Sequence, residues 1–211
     1  MKRILLTGFR PFGEHKLNPT ELLMQSIDER VSRWPALTIE TLVVETAYNA
    51  CQSQIKEALA QFRPDILLSF GLNYGSDTVR IERLGINIDH ARAIDNAGES
   101  RSDRRIASEG PPAYWATLPA ELLSAPLDAA GIPWRTSYYA GGYICNHLLY
   151  VALHFAVKRN LSTLCGFIHV PPLSEQVVEI EGRKGLELTR LIQATSAILD
   201  GFGNEAGAEH A

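Results

Sequence analysis

Two rhythms of apolar positions run along this chain. Short runs rich in aliphatic and β-branched residues, at 3–7, 38–44, 66–70 and 164–169, read as strands, the one at 66–70 as a buried strand. Residues 47–62 and 146–158 instead repeat apolar side chains at spacings of three and four. In the second stretch these are Leu148, Leu149, Ala152, Phe155 and Ala156, the mark of a helix with one buried face. Glycine and proline punctuate the pattern: G-F-R-P-F-G follows the first run, Gly71 closes the third, and Pro171 and Pro172 stop the last. Asn18 or Thr20 can cap a helix reaching about residue 32, with Pro19 tolerated at its first position. The resulting β-α-β-α-β order predicts an α/β protein with a largely parallel sheet flanked by helices.

The remaining pattern is weaker. Residues 78–88 alternate in part (Val79, Ile81, then Leu84, Ile86, Ile88) and read as a strand or strand pair. Residues 89–112 are polar and rich in Asp, Arg, Gly and Ser, and read as one long irregular stretch. A helix near 118–130, a strand at 134–138 and a last amphipathic helix at 185–199 follow, and 201–211 reads as a disordered tail. No internal repeat is visible, and the expectation is one α/β domain over residues 1–200.

Charge narrows the function. The 211 residues carry a net charge of −4 with scattered basic side chains, which argues against a nucleic-acid partner. No apolar stretch reaches the ~18 residues that span a bilayer, so no membrane partner is expected. The opening M-K-R-I-L-L-T-G-F reads as a first strand and not as a signal peptide. Cys51, Cys145 and Cys165 are odd in number and lack a C-x-x-C pair, against a disulfide framework or zinc ribbon and in keeping with a cytoplasmic location.

The candidate chemistry centres on Cys145. It follows a glycine pair in Y-Y-A-G-G-Y-I-C-N-H and opens the helix-patterned stretch. A cysteine in a helix's first turn sits among unpaired N–H groups and at the positive dipole end, which favours the nucleophilic thiolate. Cys51 and Cys165 lie inside apolar patterns and read as small buried hydrophobes. His169, where a strand leaves its sheet, has the best address for a base, because α/β sheets place sites beyond the carboxyl ends of their strands. His90 is the alternative base; His147, two residues along the helix from Cys145, points elsewhere. Glu82 is an acid set among aliphatic neighbours. It reads either as the group orienting His169 or as a partner of Arg80 or Arg83 on a solvated face. Phe9 and Phe12, flanking Pro11, can wall a small apolar pocket. The loop lacks the spacing of phosphate-binding glycines, and Cys, His and Glu are too scattered for a metal site.

Taken in order, T-G-F-R-P-F-G followed by N-P-T, then I-E-R-L-G-I-N, A-R-A-I-D-N-A-G, Y-I-C-N-H and G-F-I-H-V-P-P-L-S-E-Q resemble the pyroglutamyl peptidase I family. The match runs from Ile4 to about Leu199. The resemblance implies a phosphorylase/hydrolase-like three-layer α/β/α sandwich with a mixed, twisted sheet. It implies a cysteine exopeptidase that removes N-terminal pyroglutamyl (5-oxoprolyl) residues from peptides through a Glu-Cys-His triad and a thioacyl-enzyme. No cofactor or metal is called for, and a homodimer or homotetramer is the implied assembly.

Residue by residue, the resemblance makes Glu82 the orienting acid, Cys145 the nucleophile and His169 the base. Phe9 and Phe12 match aromatics that hold the lactam ring, and Asn18 a ligand-contacting position. Tyr143 and Ile144 line the same pocket, and Arg92 matches an arginine beside the triad that assists near the oxyanion. Three departures stand out: Arg10 where an acid is common, Glu14 where a second glycine is usual, and residues 71–77 where the family has a glycine-rich run. Leu72, Asn73 and Tyr74 therefore bear on acyl specificity. Two other readings follow: a related cysteine hydrolase acting on another N-acyl or lactam group, and a non-catalytic binding protein on the same fold.

Overall fold

Odd and even residues of the central strands feed two different cores. In a computed structural model describing residues 1–208, Ile4, Leu6, Ile66, Leu68, Phe70, Ile168 and Val170 pack into one cluster; Leu5, Leu67, Cys165 and Phe167 pack into the other. Strands buried on both faces need covering layers on both sides, which is why their sequences read as continuous apolar runs.

In chain order the elements are β1 (Lys2–Phe9), α1 (Pro19–Asp28), β2 (Leu37–Val44), α2 (Tyr48–Phe62), β3 (Ile66–Leu72), β4 (Val79–Glu82) and β5 (Leu84–Ile86). Then come β6 (Asp89–Ala91), β7 (Arg101–Arg104), β8 (Ala113–Trp115), α3 (Glu121–Ala129), β9 (Trp134–Ser137), α4 (Ile144–Lys158), β10 (Leu164–Val170) and α5 (Leu188–Ala208). Six strands form one sheet in the order β2-β1-β3-β10-β4-β9. All pairings are parallel except β10 with β4, so the sheet is mixed. Helices α1, α3 and α5 cover one face and α2 and α4 the other, giving the three-layer sandwich. No helix among the described residues is long and apolar enough to cross a membrane.

Three boundaries differ from the sequence pattern, and the open reading of residues 78–88 resolves into two strands. Helix α1 is capped by Asn18, whose side chain accepts from the Thr20 N–H at 3.0 Å, and it ends at Asp28 instead of near residue 32. Asp28, Glu29 and Arg30 give the next turn no apolar side chain, and Trp34 turns in to bury its ring and donate Nε1–H to Asp200 at 2.7 Å. Residues 78–88 split into β4 in the main sheet and β5, which pairs with β8. The stretch 89–112 is not irregular throughout: β6 and β7 form a two-stranded ribbon held by an ion pair, which a polar composition hides. Finally, α5 continues to Ala208 where a disordered tail was expected from Gly201, because Phe202 is fully buried in the first core. The last part of that expectation, residues 209–211, lies outside the described residues.

Candidate active site

The ends of β10 and β3, the start of α4 and the loop after β1 converge on one cavity. In the antiparallel β10–β4 ladder Phe167 lies opposite Glu82 and His169 opposite Arg80. Opposed residues share a face, so Glu82 and His169 emerge on the α4 side while Ile81 and Ile168 enter the other core. The Glu82 carboxylate, 1% exposed, binds His169 Nδ1 through Oε1 at 2.8 Å. The reading of Glu82 as a partner of Arg80 or Arg83 is thereby replaced. Arg83 instead donates Nη1–H to the Leu118 carbonyl at 3.0 Å.

With Nδ1 engaged by Glu82, the His169 ring is left its other nitrogen for the cavity, which it lines together with Cys145. Burial works against a charged imidazole here. The neighbouring Cys145 and Glu82 side chains outweigh it, and the His169 pKa is raised to about 9. Cys145 is half-buried, whereas Cys51 and Cys165 are fully buried and their thiols are pushed up by desolvation, that of Cys165 to about 12. Gly71, the register partner of His169 on β3, leaves room for the sulfur: a Cβ there would lie 2.8 Å from Cys145 Sγ.

Three neighbours fix the start of α4. Tyr143 is its extended first flank, and the N–H groups of the first turn point out of the helix without intrahelical acceptors. Asn146 bonds the Ile86 N–H at 2.9 Å and the Ile86 and Ile88 carbonyls at 3.0 and 3.1 Å. His147 pairs through Nδ1 with Asp89 at 2.9 Å, and Asp89 also accepts from Arg101 Nη1 at 2.9 Å. The Tyr48 ring lies edge-on to His147 and Tyr143 and beneath the Arg101 guanidinium. The β6 backbone passes so close to the glycine pair that a Cβ on Gly142 would lie 2.3 Å from the His90 carbonyl oxygen. His90 itself, the alternative base, is exposed and pairs with Asp103 on the outer side of the ribbon.

The cavity measures about 290 Å³ and is lined by Phe9, Phe12, Asn18, Leu72, Tyr143, Ile144, Cys145 and His169, as the sequence anticipates. Glu82 stands behind His169 instead of in the wall. Aromatic rings form a rim: Phe12 contacts Tyr143 and His15, and His15 contacts Tyr74. The polar atoms of Asn18 are engaged locally, its Oδ1 with Thr20 and its Nδ2 with the Arg10 carbonyl, which also accepts from Thr46 Oγ1 at 2.8 Å. Asn18 thus pins the first loop under Phe9 and Phe12.

Arg92 is not among the residues lining the cavity. It is exposed and makes no hydrogen bond or ion pair among the described residues. It lies in the segment between His90, whose N–H bonds the Gly142 carbonyl at 2.8 Å, and Ile94, whose carbonyl accepts from Tyr143 at 2.9 Å. Thr46, Arg80, Tyr139, Ala140 and Gly141 also line the cavity and were not foreseen. Arg80 was legible from its two-residue offset to Glu82, and 139–141 from their place before Cys145; Thr46 gives no local signal. No cluster of three or more His, Cys, Asp or Glu able to hold a metal occurs among the described residues.

Comparison with known proteins places this geometry among relatives. The family model described as pyroglutamyl peptidase matches residues 2–200. A pyrrolidone-carboxylate peptidase of Bacillus cereus is 36% identical over the full length of both chains. One from Levilactobacillus brevis is also 36% identical, over 93% of this chain and 95% of its own. Among solved structures, pyroglutamyl peptidase I of Bacillus amyloliquefaciens superposes with a TM-score of 0.88 at 30% identity, covering 97% of this chain and 98% of its own. A pyrrolidone carboxyl peptidase variant from Pyrococcus furiosus gives 0.86 at 28% identity, over 96% and 99%.

Proposed function

The chain belongs to the pyroglutamyl peptidase family, and from that premise we propose that it removes N-terminal pyroglutamyl residues from peptides, with Cys145 as nucleophile, His169 as base and Glu82 as orienting acid. The observation that carries this reading is a single imidazole bonded to a buried carboxylate and set beside a half-buried thiol in one aromatic cavity.

His169 holds the Cys145 proton, the two resting as an ion pair below the raised His169 pKa, and the thiolate attacks the carbonyl joining the pyroglutamyl ring to the next residue. The first-turn N–H groups of α4 stabilise the developing oxyanion, one such donor being worth ~3 kcal/mol in comparable sites. The carbon–nitrogen bond breaks as the His169 imidazolium protonates the leaving amine. Water then adds to the thioester, His169 takes its proton, and pyroglutamate leaves with the thiolate restored. A pyroglutamyl ring is compact, nearly flat and uncharged, and suits a pocket walled by Phe9, Phe12 and Tyr143. A reducing cytoplasm suits an enzyme whose three cysteines are all free.

A second reading has its own observation. Leu72, Asn73 and Tyr74 line the cavity where the sequence departs from the family's glycine-rich run, and would suit a different N-acyl or lactam group. Turnover of a panel of aminomethylcoumarin amides decides between them. Release from the pyroglutamyl amide, with prolyl and acetyl amides inert, is expected. Preference for another acyl group would favour the second reading, and no turnover of any amide by folded protein would leave a binding protein.

Glu82→Gln is expected to lower kcat/KM by roughly 10- to 100-fold, the cost of one charge-assisted hydrogen bond. It should also move the pH profile. The imidazolium is needed for the leaving amine, so activity is full below the His169 pKa and falls as pH rises through about 9. Without the carboxylate that helps raise this pKa, the alkaline fall begins at lower pH. An unmoved alkaline limb would remove Glu82 from the mechanism.

A further inference from the structure

With Glu82 given to His169, Arg80 is left without an acid. Arg80 lies directly opposite His169 in the β10–β4 ladder, and opposed Cβ atoms sit about 5 Å apart on the same face. It is half-buried and lines the cavity beside Cys145 and His169. Its one hydrogen bond among the described residues runs from Nε to Ser76 Oγ at 3.2 Å, and both Nη groups are unengaged. No Asp or Glu lines this cavity. A partly desolvated guanidinium without a counter-ion is costly, and its planar fork matches a carboxylate.

In the uncleaved substrate the pyroglutamyl group is a neutral lactam, so a substrate carboxylate within reach of Arg80 lies on the leaving side of the scissile bond. We propose that Arg80 reads a carboxylate on the residue following the ring, so that this chain prefers short pyroglutamyl peptides bearing one, foremost pyroglutamyl amino acids with a free C-terminus. This inference rests on the peptidase reading above. A side-chain carboxylate at the same residue has the same chemistry, and the test separates the two.

The experiment compares kcat/KM for pyroglutamyl-alanine with its C-terminal amide, and for pyroglutamyl-aspartic α-amide with its asparagine counterpart. Wild type, Arg80→Gln and Arg80→Lys are each assayed, with the uncharged pyroglutamyl coumarin amide alongside. Wild type is expected to favour free alanine over its amide by about tenfold or more. The ratio should fall to near one in Arg80→Gln and be partly kept in Arg80→Lys, which retains the charge. Ratios are taken within each variant, so a loss of folded protein cancels. If only the aspartic pair discriminates, the side-chain carboxylate is the one read. Equal turnover within both pairs by a wild type that cleaves the coumarin amide overturns the anion site, as does an unchanged ratio in Arg80→Gln. Failure to cleave any pyroglutamyl substrate overturns the peptidase reading itself, and this inference with it.

Discussion

Cys145→Ala is expected to lower kcat on a pyroglutamyl substrate by on the order of 10⁴-fold or more while the protein stays folded. The reasoning is structural as well as chemical. Neither remaining cysteine can substitute, because Cys51 and Cys165 are 0% and 1% exposed and their thiols are pushed up by burial. His169 alone offers no equivalent route, since its Nδ1 is held by Glu82 and its ring serves to move a proton to and from the groups in the cavity, not to attack the carbonyl. Truncation removes one sulfur from a half-buried site, so unfolding by heat or denaturant should barely change. Iodoacetamide supplies an independent check: it should label Cys145 far faster than Cys51 or Cys165, and the rapid phase should vanish in the variant. Turnover within tenfold of wild type would end the nucleophile assignment.

Asp89→Ala is expected to destabilise the protein by about 3–5 kcal/mol, the cost of removing one partner from a buried ion pair. The Asp89 side chain is fully buried and its Arg101 partner only 6% exposed, so the guanidinium would remain inside without a counter-ion. The His147 Nδ1 proton loses its acceptor as well. For a chain of this length that is a fall in Tm of roughly 6–20 °C. His90→Ala is the control: its pair with Asp103 has side chains 55% and 76% exposed, and such pairs contribute less than about 1 kcal/mol. Similar unfolding midpoints for the two variants would show that the ribbon is not held through Asp89. The effect should reach catalysis too, since β6 packs on Gly142 and His147 anchors the helix that carries Cys145.

How much of this was legible beforehand depends on where the determining contacts lie. β3, β10, α2 and α4 were readable almost to the residue, because burial on both faces or on one helical face writes itself into local spacing. The β6–β7 ribbon was not: its cohesion comes from Asp89 meeting Arg101 and His147, and each of these looks like surface when read alone. The end of α5 was lost for a similar reason, since Phe202 is buried by a core formed elsewhere in the chain. At the site, Cys145 and His169 had informative addresses at a helix start and a strand end. Glu82 had two readings until the ladder chose His169. Arg80 reached the cavity wall unforeseen because exposure of an arginine is set by what packs above it, which neighbours in sequence do not reveal.

The one antiparallel insertion in the sheet has a consequence for how the molecule is made. Strands β2, β1 and β3 join through successive crossovers, but β4 takes its place between β10 and β9, both far downstream in the chain. The contact between Glu82 and His169 spans 87 positions, so its loop-closure entropy is paid late in refolding. Secondary structure and core fluorescence should therefore recover before turnover does, and regained activity counts only those molecules in which β4 has been stitched in.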